Sequence, residues 1–427
     1  MKNILTAILA FFLVVPAARA DRKWTNGFEE NAFSAATSNG LWYAIDGTIA
    51  IVSSANCHSG TYCARANPTT NVGRVRKNLV GAVTSGTFSY EGYYYFATLP
   101  NADPILMMTT SNAAGLEMQI SFLHSAADVL QLKNAVTSTS QNGTVSLTTG
   151  VQYRIEAQVV YADSGGSMVM KLFNADSTTP LETLTISGED TLATNFSLTY
   201  WGLSTTNSTA DLYLDDVAIN DDAGSVFNSW IGPTKHVMLV PASDVSVTWT
   251  KNGAGCTGTG NYDCVDDLPN ASGPDDATTY NEDATITNAD RMALSNVPAG
   301  VPSDADMILL DVLSRYGAAG TGTSTGRSQL WDESGSETDG VSVNMDIGAG
   351  VWTTSSTSSH LVMDLGTRTK ANLDSFDVGY KGLTGTGNAR RISAVWALLE
   401  YIEATGGGGT STLFSGGVTV SGGVTIQ

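Results

Sequence analysis

Basic residues are scarce in this chain. It carries 21 Lys and Arg against 41 Asp and Glu, a formal charge of −20 over 427 residues. Phosphate backbones and anionic lipid repel such a chain, so neither nucleic acid nor a membrane surface is expected as a partner. Histidine is scarcer still: His58, His124, His236 and His360 are the full set, and they are scattered singly. Each reads as a strand or surface residue rather than a general base or metal ligand. Neither a His-Glu-x-x-His motif nor a phosphate-binding glycine loop occurs, and no organic cofactor is expected. Charged residues make up only 15% of the chain. Ser and Thr stand where helices would carry Lys and Glu, which points to an all-β class. Long apolar runs are missing too, with one exception at the start.

That exception, Ile4 to Val15, follows the positive Lys2, is too short to span a bilayer and precedes the small-x-small site Ala18-Arg19-Ala20. Residues 1–20 are therefore expected to be a signal peptide cleaved near Ala20, and the protein is expected to be secreted, with no membrane span. Without a cysteine after the cleavage site, lipid anchoring is not expected. The 4 cysteines form two close pairs, Cys57 with Cys63 and Cys256 with Cys264, each in Gly/Ser/Asn-rich sequence. Export makes two local disulfides the natural reading. Zinc is the alternative, but the spacings exceed Cys-x-x-Cys and His58 is the one nearby imidazole.

From Trp24 to about Asp222 the chain alternates with period two between turn residues, as in Gly86 to Phe96, Leu116 to Leu123, Gln152 to Tyr161, Ser167 to Phe173, Ser197 to Leu203 and Asp211 to Ile219. This predicts a sandwich or jelly roll over 21–222. Asn26-Gly27-Phe28-Glu29-Glu30, His58-Ser59-Gly60-Thr61-Tyr62-Cys63-Ala64-Arg65 and Tyr213-Leu214-Asp215-Asp216-Val217-Ala218-Ile219 resemble the concanavalin A-like, laminin-G-like jelly rolls. The resemblance implies a glycan-binding or adhesive domain. A second region, 231–404, offers Lys235 to Val240, Val245 to Thr250, Met307 to Tyr316, Gly340 to Ile347, His360 to Leu365 and Leu373 to Tyr380 as strands. Its closing stretch, Arg391 to Tyr401, could be a buried helix by propensity. The order of pieces resembles a β-sandwich module of bacteriophage structural proteins, and that resemblance makes the stretch a strand. Residues 405–427 are a Gly-rich linker followed by the tandem repeat Ser415 to Val420 and Ser421 to Ile426. A lone strand pattern of this kind suits pairing with a neighbouring subunit or another protein's sheet edge, although a frayed end would read the same.

Glucanases of this fold set carboxylates as Glu-x-Asp-x-Glu on one strand, and lyases pair an Arg-rich strand with Gln-x-His. Here Glu117-Met118-Gln119-Ile120-Ser121 supplies neither set. The nucleophile-elbow pattern Gly322-Thr323-Ser324-Thr325-Gly326 sits in a Gly/Thr/Ser loop with no helix signal after it. Calcium fits better: the resemblance implies a structural ion between Glu29 and Asp216, with Glu30 and Asp215 beside them. The acidic stretch of Asp263, Asp266, Asp267, Asp275, Asp276, Glu282 and Asp283 is a second calcium candidate, but it lacks EF-hand spacing and reads more readily as a solvated loop. For sugar binding, alternation puts Glu91, Tyr93 and Tyr95 opposite the core face of their strand. Gln119 and Ser121, then Arg154, Glu156 and Gln158, are expected to join them on one concave groove. The sequence thus indicates a non-catalytic surface or virion-associated protein that recognises a glycan or polysaccharide. An exported bacterial adhesin and a polysaccharide lyase or glucanase are the alternatives.

Overall fold

The computed structural model describes residues 22–404, apart from 32–41, 70, 112–115, 193–194, 205–208, 224–225, 268–275, 277, 355–360 and 386–387. The expected signal peptide, the tail repeat, His360 and Asp275 lie outside the described residues.

Two antiparallel sandwiches follow one another, and every paired strand is antiparallel to its neighbour. In the first sandwich, one sheet is centred on Gln152–Tyr161, Gly86–Thr98 and Asp211–Asp221, and the first strand, Arg22–Asn26, pairs with the last, Asp211–Asp221. The facing sheet runs Val129–Asn134, Leu116–Leu123, Ile105–Ser111, Phe196–Leu203 and Gly73–Val83 in spatial order. Alternation builds the core between them. Tyr90, Tyr94 and Phe96 point in from one sheet, Met118, Ile120 and Phe122 from the other, and all are fully buried. Trp24, Trp42 and Trp201 close one end, with ring centroids 4.6 to 6.5 Å apart.

The second sandwich is built on two long paired strands, Asp306–Ala318 and Arg390–Ile402, facing a sheet that contains Thr325–Trp331 and Asp377–Thr384. Arg390–Ile402 is buried along both faces. That removes the polar alternation which marks a half-exposed strand, and it explains why this stretch is hard to tell from a helix by pattern. Three expected strands need correction. Val245 to Thr250 is largely the exposed connection between Pro241–Ser246 and Thr250–Asn252, Gly340 to Ile347 shrinks to Val343–Asn344, and Leu373 ends a short helix, Lys370–Leu373, ahead of the strand at Asp377.

The two units share a core. Leu313, Ala394 and Trp396 of the second pack into the apolar cluster of the first. The strand Thr234–Leu239 follows the connection between the sandwiches and pairs along Arg390–Ile402. Its Thr234 and His236 side chains reach polar groups of the first sandwich. Both disulfides are present, Cys57 to Cys63 and Cys256 to Cys264, which fits an oxidising compartment. Among the described residues no helix is long and apolar enough to cross a membrane.

Candidate functional site

Six of the expected groove residues do share one face. Register sets Arg154 beside Tyr93, Glu156 beside Glu91, Gln158 beside Ser89 and Gln152 beside Tyr95, on the side of the first sheet away from its core. The face is not an open groove, because the connection and the second sandwich cover it. Glu91 and Tyr93 are 0% exposed, Arg154 1% and Glu156 2%. Thr234 donates to Glu91 Oε1 at 3.1 Å, and Arg154 lies 2.9 Å from Glu156. Burial, then the charge of Glu156, pushes Glu91 well above the usual carboxylate range. Tyr95 stays half-buried against Tyr213, and Gln158 donates to Ser89. Gln119 belongs elsewhere. It sits on the second sheet between the buried Met118 and Ile120 and faces out on the opposite side of the sandwich.

The expected calcium residues form the heart of the junction. Asp216 accepts from His58 Nδ1 at 2.5 Å, from Ser59 Oγ at 2.8 Å and from His236 Nδ1 at 2.6 Å. Each imidazole has a second acceptor: His58 Nε2 is 2.8 Å from Asp176, and His236 Nε2 is 2.5 Å from Thr25 Oγ1 and 3.5 Å from Glu400. Arg22 pairs with Glu400 from the other side. Burial alone would drive the protons off both rings. The hydrogen bonds to carboxylates outweigh it, raising His58 and lifting His236 to about 9. The same bonds hold Asp216 below its ordinary value against the opposing effect of burial. Asp215 accepts the His58 and Ser59 amides, and Glu29 accepts those of Thr61 and Tyr62 at 2.9 to 3.0 Å.

This donor set does not fit a calcium ion. Both Asp216 oxygens are engaged by cationic imidazoles, which repel a second cation, and Glu29 is engaged by amides. Among the described residues no group of three or more His, Cys, Asp or Glu is arranged to hold a metal. The four histidines were expected to act singly. Two of them instead meet at one aspartate, with 177 residues of chain between them that no local pattern bridges.

The remaining motifs resolve structurally. Ser324 of the elbow pattern is fully buried, its amide donates to Asp346 at 2.7 Å, and a strand, Thr325–Trp331, follows where chemistry would need a helix. In the acidic stretch, Asp276 is paired with Arg315 and Glu282 with Arg391.

The outer face of the second sheet points away from the junction. Val75, Lys77 and Leu79 turn inward, so Arg74 and Arg76 turn outward, both about a quarter exposed. Arg74 lies 4.7 Å from the Tyr200 ring centroid, and Arg76 lies 5.5 Å from that of Tyr43, itself 49% exposed. Asp46 holds both guanidiniums at 2.7 Å. Register continues the row through Tyr200, Thr109, Gln119 and Lys133, with Ser121 and Gln131 alongside; Tyr200, Thr109 and Ser121 are buried between the longer side chains, and Gln119, Gln131 and Lys133 reach the surface. Gln119 and Ser121, expected on the groove of the first sheet, lie here instead, and Arg74, Arg76, Tyr200 and Lys133 were not among the expected site residues. The cluster Arg74-Val75-Arg76-Lys77, in a chain so poor in basic residues, was the available signal.

No family model matches the chain, and no curated protein does. Solved structures similar to it are β-sandwich proteins. Domain 4 of an extracellular arabinanase from Geobacillus stearothermophilus, in complex with arabinotriose, is 14% identical over 48% of this chain and 93% of that one, with a TM-score of 0.32. An alginate lyase from Chlorella virus is 9% identical over 42% and 93%, with a TM-score of 0.32, and peanut lectin is 12% identical over 46% and 97%, with a TM-score of 0.30.

Proposed function

We propose that the chain is a non-catalytic, exported recognition protein that binds an acidic polysaccharide across the outer face of the second sheet. The observation that carries this reading is the Arg74/Arg76 pair stacked over Tyr43 and Tyr200, in register with Gln119 and Lys133. The exposed Tyr43 ring offers apolar surface to a sugar ring, Tyr200 beneath the guanidiniums holds them in place, amides reach the sugar hydroxyls, and the guanidiniums fork onto carboxylate or sulfate. Four strand spacings of about 4.8 Å place Arg76 and Lys133 roughly 19 Å apart, room for several sugar units of a chain lying across the strands. The non-catalytic reading is supported by the fate of the acid–base residues: His236, Asp216 and Glu400 are spent on joining the sandwiches, and His58 is held between Asp216 and Asp176. Attachment to an envelope or virion through the tail is the finer part of the proposal. It rests on the sequence repeat, and truncation after Gly409 should lower the oligomer mass seen by light scattering.

Retention on immobilised polygalacturonate, alginate and hyaluronate, with dextran as the neutral control, tests the binding face. Retention of at least one acidic polymer should weaken with salt. It should fall by about tenfold or more in the Arg74→Ala, Arg76→Ala double variant, since each charge-assisted contact contributes about 1.5 to 3 kcal/mol. Equal retention on dextran, unchanged binding by the double variant, or shortening of any polymer would each overturn the proposal.

A further inference from the structure

Between the sandwiches lies a cleft of about 640 Å³, within the range of small-molecule sites. Its two walls differ in chemistry because each comes from a different unit. The first sandwich contributes polar groups, chiefly Glu29, Ser54, His58, Thr61 and Tyr62. The second contributes Val237, Met238, Val240, Pro298 and Val301, with Lys235, Tyr401 and Glu403 at the margin.

We propose that this cleft is a binding site for a neutral mono- or disaccharide, separate from the acidic-polymer face. Three features of the cleft converge on that class. The apolar wall suits the C–H face of a pyranose ring, the opposite wall supplies carboxyl and hydroxyl groups for its hydroxyls, and the Lys235 ammonium adds a donor at the margin. Every cation at the cleft already has carboxylate partners: Lys235 lies 3.2 Å from Asp176 and 2.9 Å from Glu403, and His58 bridges Asp176 and Asp216. No positive charge is left over for an acidic sugar, whereas on the other face two guanidiniums, Arg74 and Arg76, share the single carboxylate of Asp46. The polar wall is also pre-set. His58 is stacked on Tyr93 with centroids 3.5 Å apart, and backbone amides fix Glu29, so little ordering remains to oppose binding. The buried pairs between the units, Arg22 with Glu400 and His236 with Asp216, hold the two walls at a constant separation.

Gly300 allows a direct test. It lines the rim of the cleft, and a Cβ added there meets no heavy atom within 4 Å, so a large side chain is accommodated at the cleft mouth without a clash with the fold. Titration calorimetry on the full chain with glucose, galactose, mannose, cellobiose, maltose, lactose and glucuronate should show saturable binding of at least one neutral sugar at millimolar concentrations. Gly300→Trp should weaken it by about tenfold or more, while Gly300→Ala and the Arg74→Ala, Arg76→Ala double variant retain it. An unchanged melting temperature for Gly300→Trp would confirm that the loss is local. The proposal is overturned if no neutral sugar saturates, if Gly300→Trp binds as well as the parent, or if glucuronate binds as tightly as the neutral sugars. Retention on acidic polymers is a separate readout, so either site can fail without the other.

Discussion

Replacing His236 by Gln should change how stability depends on pH, by an amount that the junction geometry sets. His236 is fully buried, with Asp216 on one ring nitrogen and Thr25 and Glu400 on the other. Burial opposes its charge, the carboxylates outweigh burial, and the imidazolium persists to about 9 from an ordinary 6.5. A folded-state value above the unfolded one means that the stabilisation is fully present below pH 6.5 and is lost as the pH rises through about 9. At about 1.4 kcal/mol per unit the shift corresponds to about 3 kcal/mol, and removing one partner of a buried pair costs about 3 to 5 kcal/mol. Urea unfolding of parent and His236→Gln across pH 6 to 10 measures this directly. The parent should be more stable by about 3 kcal/mol or more near pH 6, and the gap should close towards pH 10. Lys77, which burial pulls down to about 7, titrates in both proteins and cancels in the difference. A gap that stays constant or widens with pH would show that His236 is neutral in the fold, and the account of the junction would be wrong.

Other perturbations probe the same construction. Trp396→Ala removes a fully buried ring that joins the two cores and should cost about 3 to 5 kcal/mol, with both sandwiches still unfolding in one calorimetric transition; two separated transitions in the parent would refute a shared core. Gly60 holds φ +57°, and a Cβ there would lie 2.1 Å from Glu29 Oε1, so Gly60→Ala should destabilise by about 1 to 3 kcal/mol in urea unfolding, and a neutral effect would mean the Glu29 pocket is looser than described. Loss of the Cys57–Cys63 bridge, which closes a short loop, should lower stability by about 2 kcal/mol, measured by urea unfolding of the Cys57→Ser, Cys63→Ser variant against the oxidised parent. Chelation with EDTA should leave the melting temperature unchanged, whereas a fall would place a cation where His58 and His236 now neutralise Asp216.

Much of the fold was legible because strands write their burial into alternation. Gly86–Thr98 and Gln152–Tyr161 could be read, with their core faces, from Phe88, Tyr90 and Tyr94 alternating with Glu91 and Tyr93. The candidate site was only half legible. Alternation correctly grouped Glu91, Tyr93, Arg154 and Glu156 on one face, yet it cannot tell a face that meets solvent from one that meets another domain. Gln119 was assigned to the same groove because nothing local states which of the two sheets a strand joins.

The sequence by itself determined the local matters: β class, strand faces, the two cysteine pairs and the scarcity of positive charge, all consequences of side-chain chemistry over a few residues. The tertiary structure alone decided what is covered and what is open. It brought His58 and His236 onto Asp216, sealed the expected groove beneath Thr234 and its neighbours, and left Arg74, Arg76 and Tyr43 facing outward. Those outcomes depend on how two complete sandwiches dock, and docking is a sum over contacts between residues far apart in the chain, which no short pattern encodes.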